Sequence, residues 1–377
     1  MKRIEIKENN LNMVYEITDE NEIKLLHFSN LPFDENDINS CEGTASFRPV
    51  EVLLSGLNRP GERHGTKYTY TAPGYRLKYK DMKDYRNETG RKLEILMEDK
   101  PTGLEVCSNI QFYDGISVIR SWTELKNNGE EDLGVEYVSS FALLGIDKEG
   151  LLSTDEKLEV LIARNAWQKE LIWNRFSMDQ LGMSISQPDK VRRSSQTISV
   201  GNTGNWSTKN YLPMGCLKNK ETDSILFWQI EQNGSWYWEI SDQDGHMYLQ
   251  LSGPTEHQSH WWKNLKPGDT FASVPVSVGS ACGDVEEAAG ELTKYRRAIR
   301  RKNEDNEKLP VIFNDYMNCL WGDPTTEKEL PLIDAAAECG CEYYVIDAGW
   351  YAPGEWWDSV GEWQESRERF PNGIKEV

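Results

Sequence analysis

From residue 1 to about residue 280, apolar and polar positions alternate in short runs broken by turn residues, with hardly any 3.6-residue periodicity. That pattern predicts strands, and turns this frequent over so long a stretch predict a large antiparallel sandwich in place of a small barrel. The run "ISVIRSWTELKNNGEEDLGVEYVSSFALLGI" reads as a hairpin whose two β-rich arms flank Asn128-Gly129, a dipeptide that supplies positive φ to a tight primed turn. A second hairpin is read in "GSWYWEISDQDGHMYLQLSG". There Trp236, Trp238 and Ile240 fall on one face, Asp244-Gly245 turns the chain, and Met247, Leu249 and Leu251 alternate on the return.

The period changes near residue 284. "DVEEAAGELTKYRRAIRRKNEDNEKL" carries acids in its first turns and Arg296, Arg297, Arg300 and Arg301 towards its end, in the sense that complements a helix dipole, and predicts a linking helix over 284–308. "LPVIFNDYMN" follows as a short buried-strand run. Thr326 with Glu329 reads as a capping box, but a proline at 331 would clash with a preceding carbonyl, which moves the expected start of the regular helix to Pro331. Ala335, Ala336 and Ala337 continue that helix, Gly340 ends it, and "EYYVID" begins a second buried strand. Strand, helix and strand in this order predict a βαβ unit with parallel strands. "FPNGIKEV" reads as the entry to another helix.

Charge narrows the partners. Against 62 Asp and Glu stand 42 Lys and Arg, a formal net charge of -20, which repels phosphate backbones and anionic lipid; neither nucleic acid nor a membrane is an expected partner. The N-terminal "MKRIEIKENNLNMVYEI" lacks the apolar core of a secretory signal. Seven scattered cysteines, an odd number, fit reduced thiols and a cytoplasmic location. Cys339-Gly340-Cys341 has neither zinc-knuckle nor redox spacing, and His257-x-x-His260 lacks a third ligand nearby, so no metal or cofactor is expected.

Several ordered segments resemble glycoside hydrolase family 36, the bacterial α-galactosidase family. "PVIFNDYMN", "YYVIDAGWY", "GEW" and "RFPNGIKEV" are similar to its first two barrel strands and the loop after them, while "GERHGTKY", "GRKLEILMEDKPTGLEV" and "HWWKNLKPGDTFASVPVSVG" are similar to its N-terminal β-supersandwich. The resemblance implies a mainly β chain: a large antiparallel β-supersandwich over 1–283, a helical linker over 284–308, and over 309–377 the first βαβ of a (β/α)8 barrel that typically takes about 250 residues. It also implies a homo-oligomer, a tetramer in the family, acting on an oligosaccharide or other glycoside. The family's nucleophile and acid/base aspartates have no counterpart segment here, so no catalytic residue is expected within the chain.

Four residues are candidates for substrate binding. Asp347 lies at the carboxyl end of a strand of the barrel type, where such enzymes place their sites, and a carboxylate there accepts charge-assisted hydrogen bonds from sugar hydroxyls. The plainer alternative is a turn former before Gly349. The resemblance assigns Asp347 to gripping galactose, and where the family has a second Asp this chain has Ala348. Trp350 matches the family's site tryptophan, and its flat apolar face suits the C–H side of a pyranose. Tyr316 stands where the family has a stacking tryptophan. Arg63, in a glycine-flanked loop with His64, is implied to reach a neighbour's site or is an ordinary surface residue. Trp363 is read as mainly structural, with Trp356 and Trp357 either sugar platforms or packing at the barrel mouth.

Three functions are therefore weighed. The chain is the N-terminal part of a retaining α-galactosidase, or of an α-N-acetylgalactosaminidase or related hexosidase, or it is a non-catalytic carbohydrate-binding or oligomerising piece. Two barrel strands without the rest of a barrel are expected to have exposed, association-prone edges.

Overall fold

Where the first 280 residues alternate, the chain does form strands, and among the described residues there every pairing is antiparallel. The computed structural model describes residues 1–38, 47–57, 67–183 and 196–377, which divide into two units, Met1–Ile299 and Arg300–Val377. Among the described residues of the first unit, one sheet has ten strands. It runs from the edge strand Lys169–Ser177 through Leu158–Ala166, Tyr211–Asn219, Ser224–Ile230, Val276–Cys282, Ile116–Asn127, Leu104–Tyr113 and Arg91–Asp99 to Lys78–Arg86, with Thr270–Ala272 also on Ile116–Asn127. A six-stranded sheet orders Ile198–Asn202, Trp236–Gln243, His246–Ser252, Leu133–Leu144 and Lys263–Leu265, with Val52–Leu54 also pairing to Leu133–Leu144. Lys2–Glu8, Leu11–Ile17 and Ile23–Ser29 make a third, three-stranded sheet.

One apolar core joins all three sheets, taking Tyr15 and Leu25 from the smallest, Ile95, Val106 and Ile119 from the largest, and Val135, Phe141 and Leu249 from the third. Trp228 and Trp238, one from each large sheet, meet edge to face at 5.1 Å, a geometry that aromatic quadrupoles favour beyond the area they bury.

The hairpin at Asp244-Gly245 forms as the pattern predicts. Gln243 pairs with His246, and both turn residues take positive φ, 51° and 81°, the requirement of a two-residue primed turn. Its arms are buried on both faces, however, because the second face carries its own polar core. Glu239 there is 0% exposed and accepts from the Tyr68 amide at 2.9 Å and the Tyr237 and Tyr248 hydroxyls, each at 2.8 Å. Burial raises its pKa even so, since desolvation penalises the anion.

The hairpin expected at Asn128-Gly129 does not form. Its first arm, Ile116–Asn127, pairs with Leu104–Tyr113 and Val276–Cys282, while Leu133–Leu144 pairs with His246–Ser252 in the other sheet. The dipeptide is a crossing between sheets, and neither residue has positive φ. Gly129 is needed for close approach: a Cβ there would lie 2.5 Å from the Thr102 carbonyl oxygen. Asn127, wholly buried, fastens the crossing by donating to the Glu131 and Leu265 carbonyls at 2.8 Å and accepting from the Gly129 amide at 2.9 Å.

The charged helix spans Val285–Ile299 and stops short of the expected 308, with a separate short turn at Asp305–Lys308. Its apolar stripe of Ala288, Leu292 and Tyr295 seals a second cluster against Val118, Ile225 and Phe227 of the ten-stranded sheet. Arg296 Nε and Nη2 both donate to Gln229 Oε1, at 2.9 and 2.6 Å.

In the second unit, Ile312–Asn314 pairs parallel with Tyr343–Val345, with Thr326–Glu338 as the intervening helix. That helix does not wait for Pro331. Thr325 caps it, its hydroxyl accepting the Lys328 amide, and Pro331 lies inside. Thr326 is therefore not the cap, and Glu329, freed from the expected capping box, turns inward and is wholly buried. Gly340, at φ 83°, ends the helix as the sequence suggests.

Candidate functional site at the strand ends

Parallel strands direct their carboxyl ends to one side, and loops there carry whatever the unit offers a ligand. After Ile312–Asn314 comes Asp315 and then a tight turn over Tyr316–Leu320; after Tyr343–Val345 come Ile346 and Asp347. The backbones of the two loops touch. Gly349 has φ 95°, and a Cβ on it would fall 2.0 Å from the Gly322 carbonyl oxygen. A side chain at that position would push the loops apart.

Asp347 is exposed and held from two directions. Asn314 Nδ2 donates to its Oδ2 at 2.7 Å, and its own amide donates to Asp315 Oδ1 at 2.8 Å. The other Asp347 oxygen has no partner among the described residues and faces no cation in an ion pair. Asn314 does double duty, since its Oδ1 accepts the Tyr316 amide at 2.9 Å. One side chain thus fixes the aspartate and the aromatic relative to each other.

The loops after the two strands carry two aromatic groups. Tyr316 meets Trp321 at 5.7 Å and Trp356 at 5.8 Å, and Trp356 meets Trp357 at 5.0 Å, all edge to face. Trp350 lies 5.4 Å from Tyr351 and 6.3 Å from Trp363, and Tyr351 sits edge-on to Trp363 at 4.7 Å. Trp321, Trp357 and Trp363 keep more than half their surface open, so these rings offer flat apolar faces as well as packing. Arg369 ties the loops behind them: it pairs with Asp323 at 2.6 Å and donates to the carbonyls of Gly354, at 2.7 Å, and Ala352.

Asp347, Trp350 and Tyr316 therefore share one end of the second unit, whereas Arg63 and His64 lie outside the described residues. Sequence reasoning overlooked Asn314, Asp315, Glu329 and Arg369. For the first two the sequence shows a position but no role: "FND" places polar residues at the end of the first strand as "YVID" does at the second, with nothing to say what they face. Among the described residues no cluster of His, Cys, Asp and Glu is arranged to hold a metal ion, and no helix is long and apolar enough to cross a membrane.

Residues 276–377 match the melibiase family model. Alpha-galactosidase Mel36A of Lactobacillus acidophilus is 23% identical over 297 residues, 76% of this chain and 37% of that protein. Alpha-galactosidase AgaA of Geobacillus stearothermophilus is 30% identical over 116 residues, 29% of this chain and 15% of that one. The crystal structure of AgaA, a family 36 enzyme, superposes on 99% of this chain with a TM-score of 0.75 at 18% identity, using 54% of its own length; AgaA variants are also known in complex with raffinose and with stachyose. The chain spans about half the length of the structures it matches, and less of the curated relatives. In sequence over residues 276–377, and in fold over nearly its whole length, the chain is similar to about half of a family 36 α-galactosidase.

Proposed function

We propose that this chain is the N-terminal part of a retaining glycoside hydrolase acting on terminal α-linked galactosides, with Asp347 accepting hydrogen bonds from the sugar's hydroxyls. The observation that carries the reading is the placement of Asp347. Its carboxylate is pinned on one oxygen by Asn314 and open on the other, at the strand end whose loops carry the exposed rings of Trp321, Trp357 and Trp363, in the segment that matches the melibiase model. A pinned carboxylate binds hydroxyls without first losing side-chain freedom, so more of each hydrogen bond appears as affinity. Trp350 and Tyr316 supply apolar faces for the sugar's C–H side. A retaining mechanism also needs two carboxyl groups about 5 Å apart across the scissile bond. Asp347, engaged by Asn314, is assigned to binding, and the reacting pair is assigned to the part of the family architecture that this chain does not span.

Ala348 favours a second sugar. A methyl group in place of a carboxylate leaves room beside the ring and removes one acceptor, which suits an N-acetylated substituent better than a bare hydroxyl. Hydrolysis of p-nitrophenyl α-galactoside and of its N-acetyl analogue, by the 377-residue chain and by the full-length gene product, separates these readings. Turnover by the full-length protein alone is expected, and the preferred substrate names the sugar. Turnover of neither substrate by either protein would overturn the hydrolase assignment.

A further inference from the structure

Two buried acids lie behind the proposed sugar-binding carboxylate, and among the described residues neither is paired with a cation. Asp315, 1% exposed, follows the first strand, and Glu329, 0% exposed, projects from the helix Thr326–Glu338. Asp315 spends Oδ1 on the Asp347 amide, and Glu329 spends Oε2 on the Tyr344 hydroxyl at 2.5 Å. The remaining oxygens, Asp315 Oδ2 and Glu329 Oε1, are both shielded from solvent and receive no donor, yet the two side chains lie within hydrogen-bonding reach of each other. Two anions cannot face each other at that range in a dry site, whereas one proton between them satisfies both free oxygens at once.

Among the described residues, the surrounding titratable groups supply no alternative counterion. Tyr344 on the neighbouring strand donates to Glu329, and Cys319 of the turn lies close to Tyr344. Asp347 is itself acidic, and Lys328 of the same helix is turned to Asp323. Burial, reinforced by the Asp315 charge, pushes Glu329 from its ordinary 4.5 up to about 7.

We propose that Asp315 and Glu329 share one proton as a positioning pair, Glu329 donating to Asp315 so that the Asp315 anion holds the Asp347 amide and thereby aims the Asp347 carboxylate at the sugar. The proposal rests on the glycoside-binding reading of Asp347 given above. Because the folded-state pKa of Glu329 is raised, its contribution is complete below about 4.5 and is lost as the pH rises through about 7. Above that point two like charges drive Asp315 away from Glu329, and the Asp347 amide loses a fixed acceptor.

Infrared difference spectra of this chain and kinetics of the full-length protein test the pair separately. A carbonyl stretch of a buried protonated carboxylic acid, titrating near pH 7 and missing in Glu329→Gln, is expected; its absence, or its persistence in the variant, overturns the shared proton. For p-nitrophenyl α-galactoside, KM should rise about tenfold as pH passes from 6 to 8 with a smaller change in kcat. Glu329→Gln, which keeps a donor at every pH, should flatten that rise and keep the low-pH KM, whereas Asp315→Ala should raise KM at all pH values. A wild-type KM profile that Glu329→Gln leaves unchanged overturns the positioning role. If the infrared band titrates as expected but no glycoside is turned over, the sugar reading fails and the positioning claim with it, while the shared proton stands.

Discussion

Asn314 shows how much rests on one uncharged side chain. Its amide nitrogen donates to Asp347 and its amide oxygen accepts from the Tyr316 backbone, so it couples the two candidate sugar contacts contributed by different loops. Replacing it with aspartate keeps the shape and the acceptor but sets a second carboxylate against Asp347 Oδ2. Like charges at hydrogen-bond distance in a half-exposed site cost on the order of 1 kcal/mol or more, so Asn314→Asp is expected to weaken galactose binding by the full-length protein about tenfold. Asn314→Ser should cost less. Calorimetric titration with galactose checks both, and equal losses in the two variants would mean that charge is not what matters there. This residue was hidden for a physical reason: a polar side chain at a strand end looks the same in sequence whether it faces solvent or another side chain. Asp347 stands out as a candidate because it ends a strand before a tryptophan-rich loop, whereas nothing in the immediate neighbourhood of Asp315 and Glu329 marks them as buried.

The same limit governs whole elements. Where a turn's geometry is local, as at Asp244-Gly245 with its paired positive φ values, the sequence identifies the hairpin and its register. Gly340 likewise marks the end of its helix, and the acid-to-base gradient over Val285–Ile299 marks a helix that the ten-stranded sheet then buries along Ala288, Leu292 and Tyr295. Asn128-Gly129 fails as a marker because the choice between hairpin and crossing depends on which sheet receives the second strand, a contact made far away in sequence with His246–Ser252. Thr325 outcompeted Thr326 as cap, which left Glu329 to point inward and become half of the acid pair. The crossing itself depends on Asn127, whose amide bridges three backbone groups in a dry environment. Asn127→Ala leaves two carbonyls and an amide without this partner, at about 1 to 3 kcal/mol for burying unsatisfied groups. The urea midpoint of residues 1–299 is expected to fall accordingly with an unchanged m-value; a change in m instead would point to a less compact native or denatured state, or to a transition that is no longer two-state.

At the scale of the molecule, two opposing forces decide how the chain behaves in solution. The second unit exposes Val311 at 53%, Ile312 at 57%, Tyr343 at 58% and Val345 at 37%, apolar side chains on and beside a two-stranded parallel sheet whose outer edges are unpaired among the described residues. Parallel strands are ordinarily covered on both faces, and an open apolar edge recruits other strands. Against this stands a formal charge of -20, which keeps copies apart at low ionic strength. Salt shortens the reach of that repulsion to about 8 Å at physiological strength and leaves the apolar contact untouched. The 377-residue chain is therefore expected to self-associate more strongly as sodium chloride is raised, in sedimentation velocity at a fixed protein concentration. Residues 1–299, which retain the sandwich and its sealing helix as a unit of their own, should remain monomeric under the same conditions. If that shorter chain associates equally well, the interface lies on the sandwich. If neither associates at any salt concentration, the exposed strand pair is covered from within the chain, and the open edge described here is not what solution presents.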